Sequence, residues 1–203
     1  MTHLNTGYPT SLVGWDSRLS SATFLPITEY SVPAAPRNIT KTLNVLTFSY
    51  GVGATWIMPA AFYECCRYEI KDLINHPAWK GGLGETIKNR IITGFQKQVT
   101  ATRRCLDFLY KPPLEGCTSR CICLETRRHR AEEATANWAT NNPLEIWEES
   151  DWEMISEEIC AECLMSSKEM HKQARCDLWE RLPDLYDLPP WSELLGLKET
   201  AMS

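Results

Sequence analysis

The sequence has no long apolar run and no excess of basic charge. No window approaches the 18 apolar residues that suggest a membrane-spanning helix, and residues 1–8 hold no apolar signal segment. We therefore expect a cytoplasmic or nuclear protein with no membrane contact, in which thiols stay reduced. The net charge of −5 also disfavours a general nucleic-acid binder, because such proteins present a basic face to phosphate.

Strand patterns and catalytic motifs are missing as well. Alternation of apolar and polar residues is absent over any useful length, and there is no internal repeat or low-complexity segment. The glycine-rich stretch 81–84 lacks the preceding strand and the Lys-Ser/Thr pair of a phosphate-binding loop. Cysteine and histidine are present, but neither stands in a recognisable catalytic context. We therefore expect a protein that is not an enzyme.

Apolar residues recur at helical spacing along most of the chain, which predicts an all-α fold. We expect a bundle of about five to six helices over residues 40–196, preceded by an irregular, proline-broken N-terminal arm over 1–39. A capping box of Ser150 and Glu153 is expected to begin the longest helix, which Pro183 ends. The predicted core includes Trp56, Phe62, Ile91, Phe95, Ile159, Leu178 and Trp179.

Charge is unevenly distributed along the sequence. Residues 1–110 carry a net charge of +4 and residues 111–203 a net charge of −9. The acidic run 145–162 indicates a solvated helix face or a contact site for a basic partner. The basic run Arg127, Arg128, His129 and Arg130 indicates a solvated face paired with nearby glutamates, or a nuclear-localisation or phosphate-contact site.

The residues best suited to form a functional site are two clusters of cysteines within residues 117–163. Cys117, Cys121 and Cys123 form the first cluster, and Cys160 and Cys163 follow after 36 further residues. Four thiolates suit a tetrahedral zinc ion, and the predicted ligands are Cys117, Cys121, Cys160 and Cys163, with Cys123 as the alternative to Cys121. Reduced thiols and a disulfide are the competing interpretations, and His129 and His171 are substitute ligands.

The two cysteine clusters are expected to face each other in space, whether or not a metal is bound. The predicted helix between them carries the chain about 25 Å away from the first cluster, at about 1.5 Å per residue. A turn at 141–143 then allows the following helical segments to return the chain near its starting level. Sulfurs more than about 10 Å apart would rule out a shared ion, since Zn–S bonds are about 2.3 Å long.

Four segments of the sequence resemble a known family in the same order. Residues 50–66, which read YGVGATWIMPAAFYECC, resemble the YG-x(n)-ILPAAFY-x-CC pattern that follows the BTB fold in basidiomycete BTB/POZ-domain proteins. Residues 8–16 are similar to the FPTSL-x-x-WD element of that family. The paired cysteines of that family are matched by Cys117 with Cys121 or Cys123, followed by residues 159–163. Residues 179–191 resemble the closing W-x-x-LP-x-x-F-x-LP-x-W motif.

The resemblance covers about residues 8–195 and implies a protein-interaction role. BTB folds supply the family's dimer interface and, in some members, its cullin-binding surface, and this chain contains no segment that matches them. The helical region of this chain resembles the region that follows the BTB fold and is similar in role to a BACK domain. The resemblance therefore implies a non-catalytic protein–protein interaction module with a protein partner still to be identified. The alternative is a zinc-stabilised nucleic-acid-binding or transcription-related protein that uses Arg127, Arg128 and Arg130.

Overall fold

The computed structural model describes residues 8–23, 38–137, 141–145 and 147–202. Over these ranges the chain is all-α, as the sequence predicts, and contains no strand. Its α-helices are α1 (Leu12–Thr23), α2 (Ile39–Gly51), α3 (Met58–Cys65), α4 (Ile70–Asn75), α5 (Pro77–Gly81), α6 (Glu85–Cys105), α7 (Arg120–Asn137), α8 (Glu149–Ser156), α9 (Ala161–Glu180), α10 (Leu182–Leu185) and α11 (Trp191–Met202). Two 3₁₀ turns, Thr55–Ile57 and Asp107–Tyr110, precede α3 and follow α6.

The described ranges hold eleven α-helices where about five to six were predicted, because several predicted helices are broken. The helix predicted from Ser150 to the proline is divided into α8, α9 and α10. Its start also differs: Glu148 caps α8, and its backbone N–H donates to Asp151 Oδ2 at 2.7 Å in a reciprocal capping box. Pro183 stands in the first turn of α10, where the missing N–H has no helical acceptor anyway.

The segment predicted to be an irregular arm contains helix α1. Trp15 of this helix is fully buried, with its ring 5.0 Å from that of Tyr63 in an edge-on contact and 5.8 Å from that of Trp179. Residues 1–7 and 24–37 of the predicted arm lie outside the described residues. Burial of a tryptophan at this position makes α1 part of the packed structure, so the arm is not wholly irregular.

The chain divides into two compact units where a single helical domain over 40–196 was predicted. The first unit comprises the described residues within Met1–Phe95 and Trp179–Ser203, and the second comprises those within Gln96–Leu178. In the first unit, the rings of Phe62 and Tyr186 stack at 5.2 Å between centroids. Gly94 of α6 lies so close to the Tyr186 ring that an added Cβ would overlap it.

The second unit has an aromatic core. Phe108, Trp147, Trp152 and His171 are all buried, and their neighbouring rings lie 5.2–5.6 Å apart. The Arg175 guanidinium on α9 donates to the Leu144 carbonyl at 2.9 Å. These contacts fix α9 against the chain segment that precedes α8.

The predicted core is largely observed, except that the buried face of α6 does not continue through Phe95. Six of the seven predicted residues are buried, and Phe95 is half-buried. The buried face of α6 continues through Gln98 and Thr102 rather than through Phe95 and Val99. Gln98 is accommodated because its side-chain amide donates to the Asn141 carbonyl. None of the described helices has the length and apolar character to cross a membrane.

Candidate metal centre

Four cysteine side chains of the second unit converge on one point. The sulfurs of Cys117, Cys123, Cys160 and Cys163 all lie within 4.8 Å of one another. Those of Cys117 and Cys160 are 3.7 Å apart. Ligands about 2.3 Å from a tetrahedral zinc ion are about 3.8 Å from each other. The prediction that the two clusters face each other is confirmed, and the spacing suits a four-thiolate site.

The first pair of cysteines consists of Cys117, in the turn before α7, and Cys123, in the first turn of that helix. Cys117 closes a turn in which its N–H donates to the Leu114 carbonyl at 3.1 Å. The Cys123 N–H donates to the Ser119 carbonyl at 2.9 Å, the first helical hydrogen bond of this region. The turn and the first turn of α7 thus bring both sulfurs into the group.

The second pair comes from the start of α9. Cys160 immediately precedes this helix, and its carbonyl accepts the Leu164 N–H at 3.0 Å. Cys163 follows in the first turn, so its side chain lies on the same side of the helix as that of Cys160. The break between α8 and α9 therefore places both cysteines at a helix N-terminus, where the positive end of the helix dipole favours thiolate.

The fourth member of the group is Cys123, whereas the predicted ligand set contained Cys121. Cys121 is exposed and lies outside the group. Two residues correspond to about 200° of rotation on a helix, so these side chains leave α7 in nearly opposite directions. One sequence signal could have distinguished them: Cys123, Ala131 and Ala134 recur at helical spacing on the buried face.

Backbone hydrogen bonds distinguish the individual sulfurs. The Cys160 N–H donates to Cys123 Sγ at 3.3 Å. Backbone groups of Cys163 and then Thr118 hydrogen-bond the Cys160 sulfur and lower its pKa to about 6. Burial has the opposite effect at Cys163 and raises the pKa of that thiol to about 12. The local environment therefore favours the thiolate at Cys160 and the neutral thiol at Cys163, and a bound cation would favour the thiolate at both.

The remaining candidate ligands lie elsewhere. Cys65 and Cys66 are fully buried in the first unit, and burial raises the pKa of both thiols. His129 is an exposed residue whose Nδ1 lies 3.7 Å from a Glu133 carboxylate oxygen. His171 belongs to the aromatic core. Neither histidine joins the four sulfurs.

The basic run on α7 has two different environments. Arg128 and Arg130 pair with glutamates, including a 2.8 Å contact from Arg130 to Glu158. The expectation of a solvated face is wrong for Arg127, which is only 2% exposed. Its Nε donates to the carbonyl oxygen of Cys123 at 3.2 Å. A buried cation therefore lies directly beside a member of the cysteine group.

Comparison of the chain with protein-family models, curated proteins and solved structures gives no match. Four sulfurs at this spacing can supply all ligands of one tetrahedral ion and would then link the turn before α7 to the start of α9.

Proposed function

We propose that this chain is a non-catalytic helical interaction module whose second unit is stabilised by a structural zinc ion. Cys117, Cys123, Cys160 and Cys163 hold the ion as thiolates. The observation that carries the proposal is the mutual approach of four sulfurs from two separate chain segments. Such ligands bind zinc tightly enough to contribute directly to folding.

Zinc explains the group better than reduced thiols or a disulfide. Buried thiols act as small apolar groups and need no common point, yet these four share one. The 3.7 Å separation of the Cys117 and Cys160 sulfurs exceeds a disulfide bond of about 2.05 Å. A disulfide would also use two of the four sulfurs and leave the other two adjacent without a role.

A structural role follows from the composition of the ligand set. Catalytic zinc sites keep one position open for water or substrate, whereas four protein thiolates close the coordination sphere. The ion is therefore expected to fix the geometry of the second unit and to take no part in a reaction.

The interaction role rests on the exposed apolar side chains around the centre. Leu114, Ile122, Leu124 and Met165 are all exposed, and each is within three residues of a member of the cysteine group. An ion that fixes both segments would hold these side chains in a constant arrangement, which favours recognition of a protein partner. The resemblance of residues 50–66 to the helical region of BTB/POZ proteins supports the same role.

The nucleic-acid alternative has less support from the side-chain contacts. Arg127 is buried, and Arg128 and Arg130 pair with glutamates, so the basic run offers little free positive charge for phosphate.

Affinity capture from cell extract tests the interaction role. The zinc-loaded chain is used as bait, with Ile122→Asp as a surface variant and nuclease-treated extract as a control. We expect a protein partner that survives nuclease treatment and is weakened by Ile122→Asp. Capture that disappears with nuclease, together with binding of the purified chain to DNA or RNA at about 0.15 M salt, would support the alternative.

A further inference from the structure

Arg127 is a buried cation with an incompletely satisfied guanidinium. Its Nε donates to the Cys123 carbonyl, and its buried Nη2 has no hydrogen-bond partner. The neighbouring residue Arg128 is different, since its side chain is largely exposed and pairs with Glu132. The two arginines therefore share a helix and a charge but have opposite surroundings.

A buried guanidinium needs a negative charge to offset the loss of its hydration. Removal of a charged group from water is strongly unfavourable unless an opposite charge or hydrogen bonds compensate it. No described carboxylate forms an ion pair with Arg127. The carbonyl that it contacts belongs to Cys123, a member of the cysteine group.

The metal-loaded centre would supply the missing negative charge. Zn²⁺ carries two positive charges and four thiolates carry four negative ones, so the loaded site has a net charge of −2. An adjacent buried cation lowers the energy of such a site, because Coulomb interactions are strong where water is excluded. The attraction is present only when the four sulfurs are ionised around a metal.

We propose that Arg127 is a positioning residue of the metal centre, and this inference rests on the zinc site proposed above. It balances the negative charge of the four-thiolate site, and its Nε–H holds the first turn of α7 at Cys123. Outer-sphere partners of this kind commonly change metal affinity 10–100-fold.

The test compares Arg127→Met with the matched control Arg128→Met in the full chain. Zinc affinity is measured by competition with a chelating dye, and the thiolate-to-metal absorption of Co²⁺ reports the ligand set. Melting temperatures are recorded with Zn²⁺ and after chelation. Arg127→Lys retains the charge but loses the Nε–H, and it serves as the conservative variant.

We expect Arg127→Met to bind zinc about 10–100-fold more weakly, while Arg128→Met and the parent bind equally. The metal-free melting temperature of Arg127→Met should equal or exceed that of the parent, because an uncompensated buried charge has been removed. Arg127→Lys should recover part of the lost affinity. If Arg127→Met does not fold, Arg127→Gln replaces it as the uncharged variant and is compared with Arg127→Lys.

Two results would overturn the inference, and they are distinguishable. If the parent binds zinc but the uncharged variant binds within twofold of it, Arg127 has only a structural role. Equal losses of melting temperature with and without metal lead to the same conclusion. If the parent binds neither Zn²⁺ nor Co²⁺, the metal centre itself is refuted and the role of Arg127 with it.

Discussion

At the scale of single residues, the proposed metal centre depends on which of two nearby cysteines contributes a sulfur. Cys123 is buried within the group of four, and Cys121 is exposed on α7. Both are cysteines at the start of one helix, so a serine at either position makes the same chemical change. Comparison of the two serine variants therefore distinguishes a proposed ligand from a cysteine that is not one, with little difference in helix propensity.

We expect Cys123→Ser to lose zinc and to melt at a lower temperature, because three thiolates hold a structural ion less well than four. Cys121→Ser should retain one zinc per chain and the melting temperature of the parent. Metal content by elemental analysis and thermal melting check both variants. Zinc retained by Cys123→Ser but lost by Cys121→Ser would show that the structure assigns the wrong cysteine.

His171 provides a pH-dependent contribution to stability in the same unit. Burial, and then the charge of Arg175, lower the pKa of its imidazole to about 4 from the usual 6.5. The folded state therefore favours neutral histidine, and Phe108 and Trp152 enclose the ring. Stability should be complete above pH 6.5 and fall as the pH decreases toward 4, by up to about 3 kcal/mol.

Chemical unfolding between pH 7 and pH 4 measures this effect. The parent, His171→Leu and the exposed-site control His129→Gln are compared with chelator present, which removes the contribution of zinc release. His171→Leu should lack the part of the pH dependence that the parent and His129→Gln share. Identical pH profiles for all three chains would contradict a neutral, buried His171.

At the scale of secondary-structure elements, the packing of α6 in the first unit depends on a glycine. Gly94 lies against the ring of Tyr186, which is fully buried and stacked on Phe62. Gly94→Ala should therefore destabilise the protein by about 1–3 kcal/mol through overlap with a ring that cannot move. Gly196 of α11 has no atom within 4 Å of an added Cβ. Gly196→Ala should stabilise by up to about 1 kcal/mol through helix propensity.

Denaturant titration of the two alanine variants gives both free energies of unfolding. Stabilisation by Gly94→Ala would mean that the ring of Tyr186 is not packed against α6. Opposite signs for the same substitution in two helices would show that close packing, and not helix propensity, determines the effect at Gly94.

Helix α1 offers a second test at this scale. Trp15 is fully buried between two aromatic rings, whereas Val13 on the same helix is exposed. Trp15→Ala should cost about 3–5 kcal/mol of stability, and Val13→Ala should change it by less than about 0.5 kcal/mol. Equal, small effects on the denaturation midpoint would indicate that α1 is not docked.

Helical periodicity predicts the existence of the elements better than their ends. Leu43 and Leu46 lie three residues apart in the sequence, and both are fully buried in α2. Asn38 caps this helix by accepting the Lys41 N–H at 3.0 Å. The periodicity does not show the break before α9, because Ile155, Ile159 and Cys163 keep the four-residue spacing across it. It also misses α1, because a single deeply buried side chain among its residues 12–17 gives no stripe. These features depend on tertiary contacts that local sequence does not contain.

At the scale of the whole molecule, the sequence indicates the meeting of the two cysteine clusters but not all of its members. Spacing and chain reversal predict the proximity of Cys160 and Cys163 to the first cluster. The distinction between Cys121 and Cys123 depends on the rotation of α7 about its axis, and in the sequence only the helical spacing of Cys123, Ala131 and Ala134 indicates it. The buried position of Arg127 is not predictable from a basic run, because such runs usually lie on solvated faces.

The proposed metal centre consists of one zinc ion that is held by four cysteine thiolates and by no other ligand. X-ray absorption at the zinc edge measures this most directly, using the full chain purified with stoichiometric Zn²⁺. We predict a first shell of four sulfurs at about 2.3 Å. A shell that contains nitrogen or oxygen ligands, or a chain that retains no zinc, would contradict the account.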